Sequence, residues 1–419
     1  MLIKALGEPY PVGYSALGAL GEMGKEAFEP LVNALENLDL PDSIRARLAR
    51  SLFAIEHERR PEVMKDILSE DESSLVRAEM VSACGSLENG YPGKLLALAV
   101  NDRSAFVRAR AIETVTSFEK LPEGFDANDL VSRLGDPASD VRIQAVSACA
   151  HFRLRAALPA MEMLFGDPDV NVAMNAMWTA GNYGDDTILP LLARYANGPD
   201  ERFHVPAAKS LLQLGSHSAE NVLLGKLEDE STREYAIFAL KYATSKRAVD
   251  VLVDSLSDIL PDEREMASFT LYKITGARLD TGRWAGWWKT HRAFWSYDIR
   301  DGVEYYFIGL ELERDELHHV ASEAYTEALR LAPDFPPAMY RMAMQHYRTG
   351  EIGKALVYAR SAARLMPSAQ HLLLEARCLF ALDRLDDALK SVLAAKAAAN
   401  VPDKELLELE KRILEKAAK

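Results

Sequence analysis

A chain of 419 residues is long enough for two or three ordinary domains. With 48% hydrophobic and 27% charged residues it reads as a water-soluble protein, and no stretch approaches the roughly 20 apolar residues that span a membrane. A net charge of −14 argues against nucleic acid as a partner, because phosphate neutralisation supplies much of that affinity.

Three cysteines, Cys84, Cys149 and Cys378, lie far apart with no CxxC pair, which disfavours a disulfide framework and a zinc site. The N-terminus lacks the sustained apolar core and cleavage site of a signal peptide, so the expected setting is reduced and cytoplasmic. The opening "LIKALGEPYPVG" reads as the end of a second helix followed by a turn, as if the first hairpin were cut in half. That pattern is expected of a fragment of a longer protein, or of a half-repeat used as a cap.

From Val12 a twelve-residue phrase recurs, with "IRARLARSLFAI" at Ile44, "VRAEMVSACGSL" at Val76 and "VRIQAVSACAHF" at Val141 among its clearest copies. Its fifth residue falls at Ala16, Leu48, Met80, Ala111, Ala145, Ala176, Ala207, Ala236 and Ala267, at spacings between 29 and 34 residues. Each phrase carries small or apolar residues at positions 1, 5, 8, 9 and 12, which is helical spacing. A second apolar helix follows, as in "LPAMEMLF" near Met161, and an Asp such as Asp71, Asp102, Asp136 or Asp167 opens the next unit as a turn residue and helix N-cap. A single helical hairpin cannot bury its apolar face alone, so neighbouring hairpins must stack.

The Asp followed by Val-Arg, in Asp71 with Arg77, Asp102 with Arg108 and Asp136 with Arg142, resembles HEAT repeats, in particular the short bacterial type related to phycocyanobilin-lyase repeats. The resemblance covers residues 1–280 and implies that these Asp and Arg residues form a ladder between adjacent repeats.

Residues 281–299 hold four of the five tryptophans, Trp284, Trp287, Trp288 and Trp295, at i, i+3, i+4 and i+11, with His291 at i+7. They form one helical stripe in the slot of the last HEAT second helix. Large aromatics there are expected to seal the end of the stack against the helix that follows, as a structural junction. A ligand box or a membrane anchor is the competing reading.

Residues 300–419 repeat differently. "ASEAYTEALRLAP" from Ala321 is answered by "ALVYARSAARLMP" from Ala355 and "ALKSVLAAKAAAN" from Ala388. Ala321, Tyr325, Ala328 and Pro333, with Gly309 at a small packing position and Gly350 at a tight turn, make this stretch similar to tetratricopeptide (TPR) repeats. The third copy lacks the final Pro and has Asn400 and Pro402 instead, and residues 403–418 read as an amphipathic capping helix. The fold expected for the whole chain is therefore all-α: an α-solenoid of about nine HEAT-like hairpins, then about three TPR hairpins and a cap.

Catalytic motifs are missing: "GALGEMGKE" departs from a phosphate loop, and the consecutive His318-His319 diverge on a helix rather than share a metal. No catalytic residue, metal or cofactor is expected. The TPR resemblance implies a ligand groove on the first helices: Val303, Tyr306, Leu310, Glu313 and Arg314; Pro337, Tyr340, Met344, Tyr347 and Arg348; Gln370, Leu373, Arg377, Phe380 and Ala381. Tyrosines and arginines are typical of binding hot spots, so protein or peptide partners with an acidic and an apolar residue are expected. The alternative for the same aromatics is packing against the cap. The expected function is a non-catalytic interaction scaffold, against an enzyme or enzyme accessory of the phycobilin-lyase type working on the HEAT concave face.

Overall fold

The computed structural model describes residues 5, 12–53, 55–84, 92–399 and 404–418. The reading of the opening residues as half a hairpin, and that of Asn400 and Pro402, lie outside the described residues. The chain is all-α, of the α-solenoid class, and divides into two compact units, Met1–Val222 and Leu223–Lys419.

The first unit contains α1 (Val12–Glu22), α2 (Phe28–Leu35), α3 (Asp42–Phe53), α4 (Arg60–Glu70), α5 (Ser74–Cys84), α6 (Pro92–Ala99) and α7 (Ala105–Thr116). It continues with α8 (Ala127–Ser132), α9 (Ser139–His151), α10 (Leu158–Leu164), α11 (Val170–Ala180), α12 (Leu189–Ala196) and α13 (His204–Gln213). Helix α14 (Glu220–Gly225) crosses the division. Helices formed by the recurring phrase stack in succession, α3 on α5, α5 on α7, α7 on α9, α9 on α11 and α11 on α13.

The periodicity that defines the phrase is the periodicity of burial. All nine anchor residues, from Ala16 to Ala267, are at most 3% exposed. Six of them beyond the first three are alanine at 0% exposure, which lets consecutive helices approach closely.

The second unit holds α15 (Arg233–Ala239), α16 (Lys246–Ser255), α17 (Pro261–Thr275) and α18 (Trp284–His291). Three hairpins follow, α19 (Arg300–Arg314) with α20 (His318–Leu331), α21 (Pro336–Arg348) with α22 (Ile352–Leu365), and α23 (Ala369–Ala381) with α24 (Leu385–Ala398). Helix α25 (Lys404–Ala417) closes the unit against α24 and α23. Its Leu406, Leu409 and Ile413 are buried, while its other positions are mostly charged, with Leu407 and Leu414 exposed among them.

The Trp segment departs from one continuous helix. Helix α18 ends at His291, and a turn closed by Trp295 N–H to His291 C=O (3.0 Å) brings Trp295 back onto Trp288, ring centroids 5.4 Å apart and edge to face. Two features then fix α19. Gly276, at φ +77° after α17, lies so close to Arg300 that a Cβ there would meet its carbonyl oxygen at 2.1 Å. Gly309 faces the Tyr325 ring of α20, which a Cβ would meet at 2.4 Å.

Candidate functional site

The first constellation the sequence singled out is built of ion pairs between repeats. Arg77 Nε and Nη2 donate to Asp102 (2.7 and 2.8 Å), Arg108 to Asp136 (2.7 and 2.7 Å), and Arg142 to Asp167 (2.9 and 2.7 Å). Arg45 reaches Asp71 through Nη2, while its Nε donates to Leu35 C=O (3.0 Å). The remaining Nη1 of each later arginine bonds the carbonyl of its own repeat's Asp: Arg77 to Asp71 (2.6 Å), Arg108 to Asp102 (2.9 Å) and Arg142 to Asp136 (2.8 Å). Every guanidinium thus clamps two successive turns.

The aspartates serve these clamps rather than capping the next helix directly. Each accepts the N–H two residues on, Ser73 for Asp71, Ser104 for Asp102, Ala138 for Asp136 and Asp169 for Asp167, and so closes an Asx turn before the helix starts. Asp169 is itself the N-cap of α11, accepting from Asn171. Burial alone would raise the Asp136 carboxyl. Hydrogen bonds from Arg108 and Ala138 and the charges of Arg108 and Arg133 outweigh it and hold the group below the usual carboxylate range. The Arg77 guanidinium is raised, mainly by its bond to Asp102.

Beyond Arg142 the pattern changes. His204 occupies the arginine position of its phrase and keeps only the turn contact, Nε2 to Gly198 C=O at 2.7 Å. Arg233 and Arg264 likewise reach the carbonyls of Leu227 (2.7 Å) and Ile259 (3.1 Å). Arg233 lies 3.6 Å from Glu263.

The tryptophans meet one another and the next hairpin. Trp284, Trp288 and Trp295 are 0%, 5% and 1% exposed, whereas Trp287 is half-buried between His291 (4.6 Å, stacked) and Phe307 of α19 (6.4 Å). Trp288 Nε1 donates to Asp250 of α16 (2.7 Å), and Arg292 grips the same carboxylate through two bonds (2.6 and 2.7 Å). Asp250 was not singled out in the sequence; its only signal is an acid inside the apolar run "AVDVLVD".

The residues expected to line the groove separate into three groups. Val303, Pro337 and Leu373 are buried and present nothing to a ligand, because they pack into the hairpin cores. Arg377 is ion-paired with Glu405 of α25, and Phe380 lies under Arg412 (5.1 Å) and Lys416 (5.2 Å) of the same helix. The third hairpin's share of the groove is therefore occupied by the chain's own last helix. Tyr306, Leu310, Tyr340, Met344 and Tyr347 remain partly exposed on α19 and α21, with Arg314 and Arg348 at their C-terminal ends in solvent.

Glu313, expected to face a ligand, is an internal hub. Its carboxylate accepts from Tyr325 Oη (2.9 Å), Arg341 (3.1 Å), Gln345 (3.3 Å) and Arg348 (3.1 Å). Arg341 and Gln345 could not be found from the TPR-like positions, because each is the residue after one of them, about 100° round the helix. Tyr306 is raised in pKa by burial, and Tyr340 leans on the His371 ring at 5.2 Å. His371 is pushed down by burial while its Nδ1 bonds Met366 C=O (2.7 Å).

His318 and His319 lie in the exposed first turn of α20, where His319 is 3.7 Å from Glu323. Among the described residues no group of three or more His, Cys, Asp or Glu is placed to hold a metal, and no helix is long and apolar enough to cross a membrane. The three thiols are buried; Cys84 and Cys149 are pushed up to about 12, which leaves them poor nucleophiles.

Comparison with known proteins bears on these repeats. HEAT repeats match residues 127–211, and the PBS lyase HEAT-like repeat matches residues 12–37. No curated protein matches the chain. Similar solved structures include the CpcE–CpcF complex of phycocyanin lyase from Nostoc sp. PCC7120, at 18% identity over 51% of this chain and 87% of that one, with a TM-score of 0.40. Human deoxyhypusine hydroxylase is 17% identical over 61% of this chain and 99% of that one (TM-score 0.27). Importin beta is 12% identical over 99% of this chain and 62% of that one (TM-score 0.43). HEAT repeats are thus detected in the unit that carries the Arg–Asp ladder.

Proposed function

We propose that the chain is a non-catalytic interaction scaffold whose TPR-like C-terminal hairpins bind an extended peptide across α19 and α21. The observation that carries this reading is the row of partly exposed Leu310, Tyr340, Met344 and Tyr347, ending at the solvent-facing Arg314 and Arg348, on helices whose opposite sides are buried. Tyrosine supplies contact area at low entropic cost, and the guanidinium edges that Asp315 leaves open on Arg314 and Glu313 on Arg348 favour a carboxylate. The peptide is expected to place an apolar side chain on Met344 and Tyr347 and an acidic one near Arg314. Because α25 holds Arg377 and Phe380, the groove spans two hairpins, not three.

The test is selection of peptides from a random displayed library against the purified chain, followed by titration of the winners. Enrichment of an apolar residue followed by an acidic one is expected, with binding weakened about tenfold or more by Tyr347→Ala with Arg314→Ala. Winners that bind this double variant as tightly as the parent would overturn the reading.

A further inference from the structure

The faces of α15 and α17 carry a feature that the groove does not use. Phe238 and Phe269 each stand two residues beyond their repeat's anchor, Ala236 and Ala267, so they occupy equivalent positions on two consecutive packed helices. A lysine lies over each. Lys241 Nζ is 3.5 Å from the Phe238 ring centroid and 5.1 Å from that of Tyr242. Lys273 Nζ is 5.4 Å from Phe269 and 5.1 Å from Tyr272.

These two ammonium groups differ from most cations of the chain. Arg278, next to them, is held by Glu304 (3.0 Å) with Glu311 at 4.0 Å, whereas among the described residues neither Lys241 nor Lys273 has a carboxylate within ion-pair distance. Lys241 is shifted down, first by burial and then by the charge of Lys273, so the two cations repel one another across the helix pair. The charge of Lys273 also reaches Glu304, so the pair is offset in part and can still take a further anion.

Beside them opens a cleft of about 510 Å³, lined by Ser268, Phe269, Tyr272, Arg278, Leu279, Asp280 and Glu311. Phe269 is 45% exposed, a large aromatic surface next to a lysine that has no ion pair among the described residues.

We propose that α15 and α17 present a second docking surface, for an acidic peptide whose carboxylates bridge Lys241 and Lys273 while a neighbouring apolar side chain rests on Phe269 in the cleft. The lysines are half-held on aromatic faces, so little side-chain freedom is lost when the carboxylates arrive. Asp280 and Glu311 in the cleft lining, beside Arg278, disfavour a carboxylate there and leave the cleft to the apolar side chain. This surface uses none of the groove residues, although Glu311 of α19 borders its cleft.

The test uses the full chain and a fluorescein-labelled oligoglutamate peptide containing one central phenylalanine, read by fluorescence anisotropy. An acidic probe is discriminating, since the protein's overall charge repels it and only a local site can bind it. Saturable binding is expected, weakened about tenfold or more by Lys241→Glu with Lys273→Glu and weakened by raised salt. Lys273→Glu alone, at an exposed position, is expected to lower affinity with an unchanged melting temperature, which separates loss of the site from loss of fold. Tyr347→Ala with Arg314→Ala should leave the binding of this probe unaltered. No saturable binding by the parent chain, or equal binding by the parent and Lys273→Glu, overturns the proposal.

Discussion

Arg77 and Asp102, 25 residues apart, face each other through two parallel hydrogen bonds of 2.7 and 2.8 Å with side chains 2% and 5% exposed. A buried pair of this geometry repays its own desolvation only while both partners are present. Arg77→Met is therefore expected to cost about 3–5 kcal/mol, because Asp102 stays behind as an uncompensated charge. Arg50→Met, which breaks the more exposed pair with Glu79 (2.6 Å), is expected to cost less than about 1 kcal/mol. Denaturant unfolding measures both, and equal costs would refute the distinction.

Acid sensitivity follows from Asp136. Its carboxyl is held below the ordinary range in the folded chain, so the unfolded chain binds the proton more readily as pH falls. The stabilisation is present above the unfolded value of about 3.9 and is lost as pH drops through the folded one. Asp136→Asn is expected to lower stability at neutral pH and to flatten its decline below about pH 4. Unfolding midpoints measured from pH 7 downward check the slope.

Backbone proximity sets the third expectation. Gly309→Ala would drive a methyl into the Tyr325 ring at 2.4 Å, an overpacking that costs about 1–3 kcal/mol. Gly276→Ala is expected to cost more, since its φ of +77° disfavours a side chain and Arg300 C=O stands 2.1 Å from the new Cβ. Gly286→Ala, exposed in α18 with nothing within 4 Å, should instead stabilise by up to about 1 kcal/mol. Thermal melts of the three variants give the ranking.

The proposed two-hairpin groove separates variants that the sequence would group together. Phe380→Ala and Arg377→Ala are expected to loosen α25, seen as faster amide exchange in Lys404–Ala417, while changing the affinity of selected peptides by less than about twofold. Tyr347→Ala should do the reverse. If Arg377→Ala weakens peptide binding as much as Tyr347→Ala, the third hairpin belongs to the groove after all.

Much of the architecture was legible because burial and sequence share one period. Ala111, Ala145 and Ala176 stand out as small residues at a fixed spacing, and each is fully buried where helices cross. Arg77 and Asp102 could be named because the contact recurs in the successive repeats from Arg45 to Arg142. What does not recur was hidden. The Glu313 hub draws on Arg341, Gln345 and Tyr325, three residues with no counterpart elsewhere in the chain. The fate of Arg377 and Phe380 depended on where α25 settles, which periodicity cannot express because a cap is by nature outside the period. The Trp stripe was read as a single helix, and the turn after His291 that returns Trp295 to Trp288 has no signal in the spacing.

The clamp made by each ladder arginine also constrains how such a chain can lengthen or shorten. Arg77 holds the turn at Asp71 and the carboxylate of Asp102, and Arg108 then holds the turn at Asp102 and the carboxylate of Asp136. A gene rearrangement that removes one whole period joins an arginine to an equivalent aspartate and leaves every remaining clamp filled. One that removes part of a period strands a buried cation in one turn and a buried anion in another. The ladder therefore acts as a reading frame for duplication and loss, permitting the number of repeats to drift and tolerating only those changes of length that, like the longer step from Arg108 to Asp136, keep each arginine on its aspartate.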